Sequence, residues 1–397
     1  MSIADLFLKR REDRRVRSGH PWVFSNEVDT GRSPLSAFQP GEWVNVRTHG
    51  GRALATAYVN PSTLICARIV SRRADRPLDR GRLVKRIGRA RSLREKLYEA
   101  PYYRLVFGES DDLPGLVVDR HGDVLVAQIG TVGMERLRDD VIAALDECLR
   151  PKALVLRNDA PARATEGLDQ YVETVIGETP DAVFIEENAA RFEIAPLTGQ
   201  KSGWFYDHRE NRARLGRYVR GARVLDVFSY VGAWGIQAAV AGAARVLCVD
   251  SSESACRLAS RNAALNDCQD RVEILRGDAF DALKALRTDG ERFGAVVLDP
   301  PAFARRRKDL SAALEAYTRL NRLAMQLLNE GGTLVTASCS SHVDGGRFAA
   351  AIRAAAGAAG RRLQILERGH QSPDHPVHPA LAESDYLKMI IASVSGG

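Results

Sequence analysis

Short alternating runs of apolar and polar residues dominate the beginning of the chain. Three of them, GEWVNVRT (41–48), RALATAYV (52–59) and TLICARIV (63–70), are separated by Gly, Pro and Asn. Short strands bounded by turn residues are typical of a small all-β unit. We therefore expect a barrel-like β domain over residues 1–72.

The next segment combines helical and strand-like periods. Apolar residues recur at helical spacing through residues 79–99, which predicts an amphipathic helix. Its apolar positions are Leu83, Ile87, Ala90, Leu93 and Leu97. Residues 104–130 then alternate around a DLPG turn and an RHGD turn, and a further helix is predicted near residues 135–149. We expect an α+β domain over residues 73–190.

From residue 191 the pattern changes to strands that alternate with helices. The strand candidates are RVLDVF (223–228), RVLCVD (245–250), RVEILRGD (271–278), GAVVLDP (294–300) and GTLVTASC (332–339). Strands separated by helices predict a doubly wound parallel sheet of the α/β class. The last two strands, 362–369 and 384–394, flank a segment with three prolines and no helical period. We expect them to pair antiparallel at the sheet edge.

Length and composition narrow the class of protein. With 397 residues the chain is longer than one ordinary domain of about 100–200 residues. Its composition, with 45% hydrophobic and 27% charged residues, is typical of a globular protein. No apolar run approaches the roughly 18 residues of a membrane span, and the first twenty residues contain no signal-like apolar stretch. We expect a cytoplasmic protein with no membrane partner.

Cysteine and histidine usage argues against disulfides and metals. The six cysteines are scattered without CxxC spacing, so a disulfide framework or zinc finger is not expected. His375 and His378 have H-x-x-H spacing but lie among prolines without a third ligand. We predict no metal site.

The positive charge is concentrated near the start of the chain. Residues 1–100 contain 21 Lys+Arg against 10 Asp+Glu, whereas the remaining residues contain 36 against 40. A basic module beside a near-neutral body predicts binding of a polyanion such as RNA. The expected contacts are Arg10, Arg11, Arg14 and Arg15, and a solvated basic face is the alternative.

Four successive predicted strands end in acids, namely Asp226, Asp250, Asp278 and Asp299. Ligands of open α/β sheets bind at the carboxyl ends of strands. The loop DVFSYVGAWG (226–235) lacks the G-x-G-x-x-G that a dinucleotide pyrophosphate needs, which disfavours an oxidoreductase. S-adenosylmethionine has no phosphate and is cationic, so acid-lined strand ends suit it. A helix N-cap is the alternative for any single acid.

Within this interpretation Asp250 would bind the ribose hydroxyls, Asp278 the adenine amine, and Asp226 would lie near the methionine end. A polar and aromatic segment, QKSGWFYDHR (200–209), is predicted to form a lid over the cofactor or base, with a domain-joining hairpin as the alternative. The complete predicted cofactor site is Asp226, Phe228, Ser229, Gly232, Asp250, Ser251, Asp278, Ala279, Asp299, Gln200, Phe205, Asp207 and Arg209.

The run Asp299-Pro300-Pro301-Ala302-Phe303 predicts the catalytic turn. A strand-end carboxylate before two prolines lies in a rigid turn, and Phe303 offers a face for an extruded base. Cys339, at the end of the neighbouring strand, would meet the same base. A thiolate there suits attack on carbon 6 of a pyrimidine, and a buried inert thiol is the alternative. The predicted RNA contacts are Pro300, Pro301, Phe303 and the basic run Arg305 to Lys308, and a solvated helix start is the alternative for that run.

Several long motifs together resemble the RlmI-like bacterial large-subunit ribosomal RNA cytosine-5 methyltransferases. They are residues 10–28, 104–126, 199–212, 224–235, LDPPAF (298–303), SCS (338–340) and 374–388. The resemblance covers nearly the whole chain. It implies a PUA RNA-binding domain at 1–72, the family's middle domain at 73–190, and a class I, Rossmann-like methyltransferase at 191–397 with S-adenosylmethionine as cofactor and ribosomal RNA as partner.

The resemblance also implies roles for individual residues. Cys339 would be the covalent nucleophile, Asp299 would contact the cytosine edge, and Gly232, Asp250 and Asp278 would line the cofactor pocket. Many RNA cytosine-5 methyltransferases outside this family have a second cysteine after the motif IV proline, where this chain has Pro301. The base that removes the carbon-5 proton is therefore not identified.

Two other functions stay open at this stage. One is an N-methyltransferase of an rRNA purine, in which the catalytic turn holds a nitrogen and no covalent step is needed. The other is an RNA-binding assembly factor without turnover. Three points stay open. They are whether naked RNA or a pre-ribosomal particle is the substrate, which nucleotide is methylated, and whether the protein is a monomer or a homodimer.

Overall fold

The computed structural model describes residues 3–304 and 306–396, and within them no helix is both long enough and apolar enough to cross a membrane. The chain forms two compact units. The first contains the residues up to Val183 with Ala195–Trp204 and Pro373–Ser384, and the second contains Phe184–Ile194, Phe205–Ser372 and the residues from Asp385 onward. Each unit is thus built from several segments, and the boundaries expected at residues 72 and 190 stay predictions.

The first sheet of the first unit is formed by the beginning of the chain. Its elements are β1 (Ala4–Phe7), α1 (Arg14–Arg17), β2 (Trp22–Phe24), β3 (Glu42–Arg47), β4 (Ala53–Val59) and β5 (Ile65–Ser71). The strand order is β1-β3-β4-β5-β2, with β1 parallel to β3 and the other pairs antiparallel. The three strands predicted from alternation are β3, β4 and β5. The outer strands have only three or four residues, too few for a visible period.

A second five-stranded sheet follows a long helix. The elements are α2 (Arg80–Leu97), β6 (Tyr102–Phe107), β7 (Leu116–His121), β8 (Val124–Ile129), α3 (Val132–Glu135), α4 (Arg138–Leu149), β9 (Ala153–Asn158) and β10 (Tyr171–Gly177). The order is β10-β9-β8-β7-β6. Only β8 and β9 among these neighbours pair in parallel, because α3 and α4 cross between them.

The buried face of helix α2 differs from the predicted one near the C-terminal end of the helix. The Asp79 side chain caps it by accepting a hydrogen bond from the Arg82 amide at 2.8 Å. Leu83, Ile87 and Ala90 are buried as predicted, but Leu93 and Leu97 are 43% and 44% exposed. Arg94 is buried instead, and its guanidinium binds both carboxylate oxygens of Asp111 at 2.7 and 2.8 Å. A bidentate ion pair thus replaces leucine packing in the last turns.

The second unit contains a hairpin and a seven-stranded sheet with its helices. The elements are β11 (Val183–Glu187), β12 (Ala190–Ile194), α5 (Arg209–Leu215), β13 (Arg223–Val227), α6 (Ala233–Val240), β14 (Arg245–Asp250), α7 (Glu253–Leu265), β15 (Val272–Arg276), α8 (Ala279–Thr288), β16 (Phe293–Leu298), α9 (Leu310–Leu327), β17 (Leu328–Ser338), α10 (Gly345–Ala358), β18 (Arg361–Gly369) and β19 (Lys388–Gly396).

The sheet order β15-β14-β13-β16-β17-β19-β18 confirms the predicted doubly wound topology. Strands β13 to β17 pair in parallel with one another. Strand β19 is antiparallel to both of its neighbours, β17 and β18. The predicted antiparallel pair is therefore at the edge, with β18 outermost. The winding direction changes between β13 and β16, which opens a crevice at their carboxyl ends.

Helix α6 packs unusually close to the strands beneath that crevice. A Cβ atom on Gly235 would lie 2.5 Å from Cys248 Sγ and 3.1 Å from Asp226 Oδ2. The Gly235 amide donates a 2.8 Å hydrogen bond to that same carboxylate oxygen. Only a residue without a side chain allows this contact, so the glycine sets the distance between α6 and the sheet.

We predict that Gly235→Ala lowers the free energy of unfolding by about 1–3 kcal/mol, because the added methyl group overpacks the α6 contact. Urea denaturation measures the change. The matched control is Gly88→Ala in α2, where a Cβ meets nothing within 4 Å, and where alanine should stabilise the helix by up to about 1 kcal/mol. Equal stability of the Gly235→Ala variant and the wild type would show that α6 can shift without cost.

Candidate active site

The loop after β13 has a strained backbone. Phe228, Tyr230 and Gly232 have φ angles of 66°, 50° and 81°, and a non-glycine residue in such a conformation costs of order 1 kcal/mol or more. The amides of Phe228 and Ser229 both donate to the Val249 carbonyl at 3.0 Å. Neighbouring β14 therefore holds the loop in this conformation above the crevice.

Asp250 connects this loop to the end of β14. One carboxylate oxygen accepts from the Tyr230 amide at 2.8 Å, and the other accepts from the Ser252 amide at 2.9 Å. Ser251 beside it is exposed. Each carboxylate oxygen has a further lone pair, so Asp250 can also accept hydrogen bonds from ligand hydroxyl groups.

Asp226 is completely buried at the carboxyl end of β13. Burial raises the pKa of its carboxyl group to about 7, because the hydrogen bond from the Gly235 amide offsets burial only in part and the charges of Asp299 and Asp250 add to the rise. In this structure the carboxyl group anchors α6. Its predicted place near the methionine end of the cofactor stays a prediction.

Asp278 has the conformation of a helix cap. Its Oδ1 atom accepts hydrogen bonds from the Phe280 and Asp281 amides at 2.9 and 3.1 Å, at the start of α8. Ala279 is buried in the core of the second unit. The capping alternative therefore describes the Asp278 geometry, and its contact with an adenine amine is untested.

The predicted lid segment is divided between the two units. Gln200 belongs to the first unit, where its carbonyl accepts from the Gly203 amide in a turn. Phe205 belongs to the second, and its ring contacts Tyr230 edge to face at 5.6 Å. Phe205 thus packs on the strained loop, and the role of the segment as a lid stays a prediction.

Two other residues of this segment have structural partners in the second unit. The Tyr386 hydroxyl donates to Asp207 Oδ2 at 2.5 Å, and Arg209 lies 3.5 Å from the buried carboxylate of Glu187. The roles predicted for Asp207 and Arg209 toward the cofactor stay predictions.

Asp299, directly after β16, is held on both sides. His208 Nε2 lies 3.2 Å from Oδ1, and the Trp234 indole donates to Oδ2 at 3.0 Å. Burial by itself would raise the pKa of Asp299, but the charge and hydrogen bond of His208 and the Trp234 donor hold it below its ordinary value. Burial opposes protonation of His208, yet Asp299 outweighs it, so the pKa of His208 is raised. Asp299 is thus an anchored carboxylate, and its imidazole partner is protonated more readily than a free histidine.

The sequence did not single out His208 or Trp234. Both lie in the motifs that carry the family resemblance, but His208 precedes Asp299 by 91 positions. Hydrophobic alternation and residue spacing along the chain do not predict which distant side chains come into contact. The available signal was the position of both residues in loops or first helical turns beside the predicted strand ends.

Cys339 follows β17, the neighbour of β16, and its Sγ atom lies 4.0 Å from the Pro300 carbonyl oxygen. The structure therefore brings the predicted nucleophile to the predicted catalytic turn. Tyr317 of α9 holds the flanking residues, because its hydroxyl accepts from Ser338 at 2.8 Å and lies 3.2 Å from the Ser340 hydroxyl.

The other five cysteines are poor candidates for a nucleophile. They are Cys66, Cys148, Cys248, Cys256 and Cys268. The pKa of each of these thiols is raised, mainly by burial. A raised pKa reduces the thiolate fraction at neutral pH. Cys339 lies half-buried at the end of β17.

The predicted substrate contacts differ in exposure. Pro300 is buried, Pro301 is exposed, and Phe303 is half-buried with its ring centroid 4.8 Å from that of Tyr317. Lys308 is exposed, and Arg305 lies outside the described residues. Phe303 thus packs partly on the core, which leaves less of its ring available for a base than the sequence suggested.

The four N-terminal arginines, Arg10, Arg11, Arg14 and Arg15, are exposed. Arg15 also contacts Glu27 at 3.2 Å and lies over the Phe24 ring at 4.4 Å. No group of three or more metal-ligating side chains occurs within residues 3–304 and 306–396. His375 is instead buried beside Asp374, with 2.8 Å between Nδ1 and Oδ1.

Comparisons with known proteins cover nearly the whole chain. A PUA-like domain model matches residues 6–72, and an S-adenosylmethionine-dependent methyltransferase model matches residues 159–388. Proteins named ribosomal RNA large subunit methyltransferase I are similar along nearly their full length. One from Aliivibrio fischeri is 36% identical over 96% of this chain and 97% of its own, and one from Shewanella denitrificans is 38% identical over 98% of both.

A solved structure shares the fold. SMU.776, described as a candidate methyltransferase complexed with SAH, superposes with a TM-score of 0.86 at 20% identity, over 98% of this chain and all of that one. The similarity to this structure is one of fold. The chain belongs to the S-adenosylmethionine-dependent methyltransferase family and carries a PUA-like domain at its N-terminal end.

Proposed function

We propose that the protein methylates carbon 5 of a cytosine in large-subunit ribosomal RNA through a covalent bond to Cys339. The observation that carries this proposal is the 4.0 Å contact between Cys339 Sγ and the carbonyl of Pro300, the residue after Asp299. A nucleophile and a base-reading carboxylate thus occupy adjacent strand ends. The names of the full-length relatives supply the substrate class.

Asp299 would select cytosine over uracil. His208 and Trp234 each use one lone pair of a different carboxylate oxygen, which leaves further lone pairs for a substrate. A pKa below the ordinary value keeps the carboxylate ionised. It can accept from the exocyclic amine of cytosine, whereas uracil presents an oxygen at that position and would be repelled.

Cys339 would carry the covalent step. Its thiol releases a proton to water, and the thiolate forms a bond to carbon 6 of the extruded base. The electron pair of the carbon 5–carbon 6 double bond then makes carbon 5 nucleophilic. S-adenosylmethionine, when bound, supplies the methyl group. A base then takes the carbon-5 proton, the double bond re-forms, and the carbon–sulfur bond breaks to restore the thiolate.

The residues around the strained loop fit this cofactor. The buried Ser229 hydroxyl and the Asp226 Oδ1 atom have no hydrogen-bond partner within the described residues, so polar capacity remains at the end of β13. Asp250 adds a carboxylate with lone pairs for the ribose. A positive sulfonium and ammonium are compatible with these acids.

The PUA-like domain would contribute RNA affinity. Its exposed arginines at positions 10–15 can contact phosphates without regard to sequence. An enzyme with this substrate would act in the cytoplasm.

We predict that RNA transcribed with 5-fluorocytidine forms an SDS-resistant complex with the wild-type protein. Fluorine cannot leave carbon 5 as a proton would, so the Cys339 adduct persists. Ribosomal RNA fragments, S-adenosylmethionine and gel electrophoresis are sufficient for the measurement. Cys339→Ser should abolish the complex and the formation of 5-methylcytidine.

Cys148→Ser is the matched control, because Cys148 is also half-buried, and it should form the complex normally. Full methyl transfer by Cys339→Ala, with loss in Asp299→Ala and label in a methylated purine, would instead support the N-methyltransferase. No transfer and no SAH binding by the wild type would support the assembly factor.

We predict that Asp250→Asn weakens SAH binding by about 10–100-fold, because charged hydrogen bonds to ribose hydroxyls are each worth about 1.5–3 kcal/mol. Isothermal titration calorimetry measures the affinity. Asp278→Asn is the informative companion, since asparagine caps helices about as well as aspartate. Its stability should be unchanged, and its affinity should fall if the carboxylate binds the adenine amine. Unchanged affinity would assign Asp278 to capping alone.

We predict that Asp299→Asn destabilises the protein more at about pH 6 than at about pH 9. The raised pKa of His208 means that its contribution is complete below its unfolded pKa of about 6.5 and is lost as pH rises through the higher folded value. The lowered pKa of Asp299 means that its contribution is present above about pH 4 and is lost only in stronger acid. Urea denaturation at both pH values measures the difference.

The control for this pH dependence is Asp281→Asn, which removes an exposed acid paired with Lys284 and should act equally at both pH values. An equal loss of stability at pH 6 and pH 9 in Asp299→Asn would show that the His208 pair does not stabilise the fold.

A further inference from the structure

Lys388 is the first residue of β19 and lies beside the segment that contains Cys339. In the antiparallel pairing of β17 and β19, Lys388 is opposite Ser338. Its Nζ atom donates to the Ser340 carbonyl at 2.6 Å and to the Tyr386 carbonyl at 2.7 Å. The side chain thus starts opposite the residue before Cys339 and is bound to the residue after it.

We propose that the Lys388 ammonium stabilises the Cys339 thiolate and so determines the pH at which this nucleophile is available. The inference rests on the proposed covalent function. An ammonium group has three N–H donors, and the two carbonyl contacts use two of them. A third donor remains for the neighbouring sulfur, and a nearby cation favours the thiolate over the thiol.

The electrostatics around Lys388 agree with this geometry. Burial lowers the pKa of Lys388 to about 8, and Cys339, Asp385 and Asp344 are the groups that oppose this decrease, in that order. Asp385 and Asp344 are exposed, so solvent and salt screen their charges. Asp344 also pairs with Arg347 at 3.3 Å. Among these three groups Cys339 is the partly buried one, so its ionised form would be the least screened from the ammonium.

The proton balance gives a direction for the pH dependence. The thiol proton leaves to water while Lys388 keeps its own proton, which produces a thiolate–ammonium pair. Above about pH 8 Lys388 itself loses its proton, and the stabilisation is lost. Lys388 acts through Cys339 and does not touch the substrate, so it is a positioning residue.

The test is the rate at which iodoacetamide alkylates Cys339, measured from pH 5 to pH 10 by mass spectrometry of the Cys339 peptide in the full-length protein. Lys388→Met should move the midpoint of the profile upward by about one unit, so the rate at pH 7 should fall about tenfold. Lys388→Arg keeps the charge and should retain most of the wild-type rate. Lys388→Gln provides a second neutral variant if the methionine variant folds poorly.

Methyl transfer to ribosomal RNA supplies a second measurement. The rate for Lys388→Met should fall about tenfold at pH 7 and recover toward the wild-type rate at pH 9, which a merely structural defect would not produce. Lys284→Met is the matched control, because Lys284 pairs with Asp281 on the surface of α8, and both of its profiles should equal those of the wild type.

Identical alkylation profiles for Lys388→Met, Lys388→Gln and the wild type would overturn the inference. Failure of this inference can be distinguished from failure of the proposed function. If Cys339→Ala keeps methyl transfer while Lys388→Met still shifts the alkylation profile, the covalent function fails and the pairing stands. If the fluorocytidine complex forms through Cys339 but neither neutral variant changes the profile, the function stands and the pairing fails.

Discussion

Parallel strand pairing is the constraint on which the catalytic arrangement depends. Every parallel strand ends at the same edge of the sheet, so the loops that follow β13, β14, β16 and β17 are neighbours despite long intervals in sequence. The register places Val227 opposite Leu298 and Leu298 opposite Thr336. Asp299 directly follows Leu298 and Cys339 lies three positions after Thr336, so the two residues lie at the carboxyl ends of the neighbouring strands β16 and β17.

The inserted antiparallel strand adds a group that the parallel strands do not supply. Because β19 runs against β17, its first residue is at the edge where β17 ends. The start of β19 and the end of β17 are therefore side by side, which brings Lys388 close to Cys339. The antiparallel pair at the end of the sheet serves the site as well as closing the fold.

Burial of charge in the second unit is compensated by specific pairing. Glu187 is fully buried, and although burial raises its pKa, Arg212 and Arg209 hold it below the ordinary value. His208 does the same for Asp299. Asp226 has an amide donor but no cation at hydrogen-bond distance among the described residues, and its pKa is accordingly raised. Unpaired buried carboxylates are costly, which is why burial is the main cause of the raised pKa of Asp226.

Much of this protein was predictable from residue order alone. Short apolar runs separated by helical stretches located the strands of the large sheet, because parallel strands that are covered on both faces are continuously apolar. The strand-end acids, the Asp299–Pro300–Pro301 turn and Cys339 were recognisable as candidates because ligands of open α/β sheets bind where the strands end. Tertiary structure alone decided that His208 and Trp234 hold Asp299, that Arg94 replaces leucine packing on α2, and that Lys388 lies beside Cys339. These contacts join residues through strand register and helix docking, and no local period encodes which distant side chains will share a space.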